Sequence, residues 1–240
     1  MADFDSSSRQ PLTTNVMAEI QILLDGYRQR EKRVSHWVQK DGIQNCWDAR
    51  IDPKNKKKEW KCVIELHEGQ INLVTITDTG TWGLTGRRLD KKDLLGDQPV
   101  EERWCRFENY AFRNDKAKDK HLLGSRGRGK FVFSGASKTM TTLYDTLLKD
   151  KSYRLGRRVV EKLDAPTWYS TDNNSKDILR DQTKGMLKPL TKVGARIIIM
   201  EPIQELVDDI KDGTMAGFIS YTWWEIIEKH GAQIIVRDGV

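Results

Sequence analysis

Two runs of alternating apolar residues, Trp60 to His67 and Ile71 to Thr77, stand on either side of Glu68-Gly69, and that spacing predicts a β-hairpin. A hairpin with an apolar face has to bury it against another layer. Ahead of it, Met17, Ile20, Leu23, Leu24 and Tyr27 recur at the helical period in residues 16–33, and Val38, Ile43 and Cys46 share the inner face of residues 34–49. Beyond it the pattern predicts a helix over 129–137, strands over 138–148 and 153–163, an irregular polar stretch over 164–184, and a strand over 195–200 behind Gly194. A short helix over 202–210, a helix over 222–230 and an extended segment over 233–237 complete the chain. The order predicts an α/β fold, a two-layer sandwich of a mixed sheet with helices packed on one face.

Composition sets the class. A chain of 240 residues that is 38% hydrophobic can bury a core without disulfides or a structural metal. The three cysteines, Cys46, Cys62 and Cys105, are scattered, and the four histidines have no metal-ligand spacing. No apolar run reaches the length of a membrane span, and the opening residues lack the basic and apolar regions of a signal peptide, so a cytoplasmic protein is expected. A net charge of 41 − 35 = +6 suits an anionic partner without specifying one.

Three short segments carry chemistry. In Asp41-Gly42-Ile43-Gln44-Asn45-Cys46-Trp47-Asp48-Ala49, the helical period places Asp41, Asn45 and Asp48 on one face. An amide oxygen there can bind a metal while a carboxylate activates water. Asp78-Thr79-Gly80-Thr81-Trp82-Gly83 sits where the second hairpin strand ends, and a carboxylate followed by glycines can cradle a small ligand. Gly124-Ser125-Arg126-Gly127-Arg128-Gly129-Lys130 opens a helix, and its amides and cations suit phosphate oxygens. A P-loop is excluded because Phe131 stands where a magnesium-binding hydroxyl is needed. A dinucleotide-binding Rossmann unit is excluded because the chain begins with helices.

Taken in order, these segments and Gly194-Ala195-Arg196-Ile197 resemble the GHKL ATPase superfamily of DNA gyrase, the ninety-kilodalton heat-shock chaperone, histidine kinases and MutL. The chaperone and MORC-like branches are the most similar. Asn45, Asp48 and Ala49 match the first motif, Asp78 and Gly80 the second, and Gly124, Gly127 and Gly129 the third. The resemblance implies the Bergerat-type ATP-binding fold over residues 16–212, after a flexible lead of residues 1–15. A lid is implied over about 85–120, and residues 213–240 form an extension that would begin a transducer domain.

The resemblance also implies roles. Asp41 would be the general base, Asn45 would hold Mg2+, and Asp78 would accept the exocyclic amine of adenine. Gly80 and Gly83 would let the backbone approach the base, while Gly124, Gly127, Gly129 and Lys130 would hold the phosphates of ATP. The implied function is magnesium-dependent ATP binding and slow hydrolysis, coupled to lid closure and formation of a homodimer. Two other functions stay open: a nucleotide-gated interaction module without useful hydrolysis, and an ATPase associated with nucleic acid, to which the lid cations and Lys54 to Lys58 would contribute.

Three departures bear on that function. The family has Glu where this chain has Asp41, one methylene shorter, and misplacing a reacting group by roughly 1 Å costs about a hundredfold in rate. Thr81-Trp82 lengthens the turn between Gly80 and Gly83, leaving Trp82 to pack on the base or to fill the core. Ala195 replaces a Thr whose hydroxyl assists adenine recognition. Within the lid, Trp104 and Phe107 are the expected anchors.

Overall fold

The expected hairpin forms. Strands β1 (Lys61–His67) and β2 (Leu73–Thr79) pair antiparallel with Ile64 opposite Ile76, and β1 buries every second residue. The structure is a computed structural model, and it describes residues 22, 33–51, 60–88, 101–108, 131–160, 167–171 and 174–239. Five further strands join the hairpin: β3 (Thr141–Leu147), β4 (Tyr153–Val159), β5 (Thr167–Ser170), β6 (Gly194–Met200) and β7 (Gln233–Arg237). The sheet runs β5-β4-β3-β6-β2-β1-β7, and every neighbouring pair is antiparallel except β1 with β7.

One face of this sheet carries the main helical layer. It comprises α1 (Val34–Asp48), the short α2 (Arg103–Glu108) and α3 (Phe131–Gly135), then α5 (Gln204–Lys211) and α6 (Thr214–His230). Val38, Ile43 and Cys46 of α1 meet Ile64 and Ile76 of the hairpin and Ile197 and Ile199 of β6 in one core. Gly42 lets α1 approach closely, because a Cβ there would stand 2.7 Å from Cδ1 of Ile76. The opposite face buries Leu73, Leu143, Leu155 and Ile198 under Leu179 of α4 (Ser175–Gln182) and Leu187.

The start of α1 has no side-chain cap of its own. Instead α5 supplies carboxylates: Val34 N donates to Glu205 at 2.6 Å, and buried Asp209 pairs with Arg33 at 2.7 Å and accepts from the Ser35 hydroxyl. Negative charge at a helix N-terminus satisfies its free amides and opposes its dipole. At the far side, Trp223 of α6 donates from Nε1 to Gln39 of α1 at 2.7 Å and lies in the core, whereas Trp224 is exposed. Residues after 212 therefore contribute both a helix and an edge strand to the same sheet and core.

Most elements fall close to the expected ranges. Within 164–184, however, the expected irregular stretch contains β5 and α4. β5 is a four-residue edge strand, and α4, which packs on the sheet face through Leu179, carries only Ile178 and Leu179 as large apolar residues, so neither leaves a strong apolar period. The helix expected over 222–230 begins eight residues earlier, at Thr214, after a turn at Gly213. Residues 16–21 and 23–32 of the first expected helix lie outside the described residues, with Ile22 between them helical.

Candidate functional site

The first, second and last sequence motifs meet at the ends of β2 and α1. Three backbone contacts stitch them: Ile51 N donates to Gly80 O at 3.2 Å, Trp82 N donates to Ala49 O at 3.2 Å, and Arg50 bridges with Thr81. From the other side of β2, Ala195 N of β6 donates to Oδ1 of Asp78 at 2.9 Å. Gly124, Gly127, Gly129 and Lys130 lie outside the described residues, but α3, which follows them, packs Val132 and Phe133 into the core beside α1.

Asp78 is the centre of this arrangement. Alternation places its side chain on the helical face with Val74 and Ile76, directly opposite Cys62 in the hairpin register. Its Oδ1 also accepts from the Thr81 hydroxyl at 2.5 Å. The Cys46 thiol of α1 makes a further polar contact with the carboxylate, and that thiol is itself pushed well up, first by its contact with Cys62 and then by burial. Burial raises the Asp78 carboxyl to about 6, against the opposing pull of Thr81 and Ala195. Arg103 of α2 adds a weaker electrostatic pull, and its own guanidinium is lowered by burial.

The charge balance around Asp78 is unusual within this protein. Among the described residues, four acids are buried: Asp78, Glu108, Asp145 and Asp209. Asp145 pairs with Arg196 at 2.7 Å, Asp209 with Arg33 at 2.7 Å, and Glu108 with Arg88 at 3.8 Å. Asp78 has no cationic side chain within ion-pair distance among the described residues. An uncompensated buried carboxylate is costly, and a hydroxyl with one amide offsets only part of that cost.

The loop after Asp78 is held in a defined shape. Gly83 has a φ of 69°, a conformation L side chains rarely adopt, and a Cβ on it would stand 2.5 Å from the Thr146 hydroxyl. Thr146 of β3 accepts from Leu84 N at 3.0 Å and donates to Gly194 O at 2.7 Å, so it clamps the loop to β6. Trp82 fills no core position: it is half-buried, with Lys149 Nζ 3.8 Å from its ring centroid. Gly80 turns the chain between Asp78 and Thr81, also at positive φ.

On α1, Asp41 is half-buried and Asn45 is exposed on the same helical face. Burial raises the Asp41 carboxyl to about 6, with Lys40 opposing, and no hydrogen bond reaches it among the described residues. A carboxylate at that value is mostly ionised at neutral pH and basic enough to take a proton. Asn45 offers an oxygen of the kind magnesium prefers. No group of three His, Cys, Asp or Glu side chains is arranged for a metal among the described residues.

The segment between the second and third motifs is anchored where expected. Trp104 is fully buried, 5.1 Å from Tyr144 and 4.9 Å from Tyr169 between ring centroids, and Phe107 lies 4.8 Å from Tyr144. Arg158, buried in β4, donates to the carbonyls of Phe107 and Glu108 at 3.1 and 3.2 Å and so holds the C-terminal end of α2. At the other end, Trp104 N donates to Thr85 O at 2.7 Å, which ties α2 to the loop that follows Asp78.

Sequence reasoning missed Thr81, Thr146 and Cys62 as neighbours of the site. Thr81 had a legible signal, a hydroxyl three residues after an acid in a glycine turn. Thr146 and Cys62 had none, because each arrives through strand pairing. No protein-family model matches the chain, and no characterised protein sequence matches it significantly.

Proposed function

We propose that this chain binds magnesium-ATP in the manner of the GHKL superfamily and hydrolyses it slowly. The reading rests on one observation above all: Asp78 is buried, lacks a cationic partner among the described residues, and has its hydroxyl and amide donors both on Oδ1, with the Cys46 thiol as its further, weaker contact. Such a carboxylate is suited to a ligand that brings its own N–H. The exocyclic amine of adenine does so, whereas guanine presents a carbonyl at the corresponding place and would meet the carboxylate as a second acceptor.

The other residues fit around that anchor. Asn45 would hold magnesium through its side-chain oxygen, and the bound ion would neutralise phosphate charge. Asp41, four residues away on the same helix face, would take a proton from the attacking water. Gly124, Gly127, Gly129 and Lys130 would cradle the phosphates with amides and one cation. The short Asp41 side chain, free of any orienting hydrogen bond among the described residues, supports slow turnover.

Thermal melting with ATP and with GTP, each with and without magnesium, tests the binding claim. ATP with magnesium is expected to raise the melting temperature most, and no ATP-dependent shift would sink the reading. Phosphate release from wild type and Asp41→Ala tests the chemistry. Loss of a general base is expected to slow turnover by about 10²–10⁴-fold while ATP affinity stays within about threefold. Equal turnover in the two proteins would favour the second reading, a nucleotide-gated module without useful hydrolysis, which the unsupported Asp41 also suits.

A further inference from the structure

The structure assigns to Thr81 the positioning of the Asp78 carboxylate, so that Oδ2 is the atom presented to a purine and an amine is selected over a carbonyl. This rests on the ATP-binding reading and adds to it the residue that sets base preference.

The argument begins with the direction of the hydrogen bonds. Gly83 N can only donate, and it points at Thr81 Oγ1 at 3.3 Å. Thr81 therefore receives at its oxygen from Gly83 and has its single proton to give, which goes to Asp78 Oδ1 at 2.5 Å. Ala195 N likewise can only donate, and it takes a second lone pair of the same Oδ1 at 2.9 Å. With two donors converging on one oxygen, one from the loop that continues β2 and one from β6, the carboxylate plane is set. Among the described residues, no nitrogen or oxygen donor bonds to Oδ2.

Thr81 is also held rigidly. It is fully buried, its backbone bridges to Arg50, and its neighbours Gly83 and Leu84 are clamped by Thr146. Among the described residues, the remaining polar groups near the carboxylate are Cys46 on α1, Cys62 across the hairpin and Arg103 on α2. A thiol is a weak donor, and Arg103 acts at longer range than an ion pair, so neither replaces the hydroxyl. The residue pair that lengthens the turn relative to the superfamily pattern thus brings a hydroxyl to the acid that the Ala195 side chain cannot supply.

The test compares ATP and GTP binding by calorimetry in wild type, Thr81→Ser, Thr81→Val and Thr81→Ala, with a melting curve for each. Thr81→Ser is expected to retain the wild-type ATP-to-GTP ratio. Thr81→Val and Thr81→Ala are expected to bind ATP roughly tenfold more weakly with GTP little changed, so the ratio collapses. Losing the donor also raises the Asp78 carboxyl further, so the pH below which ATP affinity declines moves upward in these two variants and not in Thr81→Ser. An unchanged ratio and pH profile in a folded Val or Ala variant overturns the assignment while leaving ATP binding intact. If both variants fail to melt cooperatively while Thr81→Ser does, Thr81 is a structural residue and the assignment is likewise overturned. Absence of ATP binding in wild type overturns the underlying reading instead.

Discussion

Asp78 and Asp145 stand in the same sheet on opposite faces, both buried, and they are treated in opposite ways. Asp145 on β3 receives Arg196 Nε at 3.0 Å, Arg196 Nη2 at 2.7 Å and the Tyr153 hydroxyl at 2.6 Å, so both oxygens are occupied. Asp78 on β2 has a hydroxyl and an amide on one oxygen and a thiol contact besides, all of them neutral. A carboxylate closed on all sides by its own fold has nothing left to offer a ligand, while one half satisfied keeps an acceptor in reserve at a cost in stability. The comparison separates a group that holds the sheet together from a group that, on the proposed reading, is set aside for binding.

The largest effect expected from breaking this contrast is at Asp145. Asp145→Asn leaves the Arg196 guanidinium buried without its charge, and loss of one partner from such a pair costs about 3–5 kcal/mol. Chemical denaturation measures that loss, and nucleotide affinity of the folded fraction should stay within about threefold of wild type. A variant that loses ATP binding without losing stability would erase the distinction between the two acids.

Asp78→Asn should do the reverse. The amide keeps an oxygen for Thr81 and Ala195 but places an N–H₂ where the acceptor was, so ATP affinity falls and the preference moves toward GTP. The stability effect follows from the raised carboxyl. Folded Asp78 holds its proton up to about 6, against an ordinary 3.8. The folded state therefore gains from this group below about pH 4 and loses that gain as pH rises through 6. At neutral pH the cost is roughly 3 kcal/mol at most, and Asn escapes it. Melting curves from pH 4 to 7 should show the variant more stable than wild type at pH 7 and the gap closing toward pH 4. Asp41, raised in the same sense to about the same value, keeps its share of the pH dependence in both proteins.

The smallest expected effect sharpens the contrast. Tyr153→Phe removes one of three donors from Asp145 and should cost about 1 kcal/mol, with no change in nucleotide binding. The loss of one neutral hydrogen bond is tolerable where a guanidinium remains. At Asp78, where no guanidinium stands within ion-pair distance among the described residues, loss of one donor should be felt in ligand selection.

How much of this was legible beforehand differs by element. The hairpin, α1 and β7 were readable because period-two and helical patterns are properties of neighbouring residues. The range 233–237 coincides with the observed strand. Strand β5 was not readable: its four residues, Thr167 to Ser170, have a place only because β4 offers an edge. Asp78 could be singled out as an acid at a strand end, but nothing local indicated that its hydroxyl and amide donors would both fall on Oδ1. That residue 195 brings no side-chain hydroxyl was visible in the sequence, while the Thr81 contact to Asp78 was not.

The sequence by itself determined where the hairpin, α1 and β7 lie, which of their residues face inward, and which short segments carry polar groups at useful spacings, since these depend on contacts a few residues long. The sheet order, the meeting of Asp78 with Ala195 across 117 positions, and the choice of which buried acid is paired and which is left open were decided by the tertiary structure. Those outcomes depend on donors and cations arriving from strands distant in the chain, and no local pattern encodes which of them will reach a given carboxylate first.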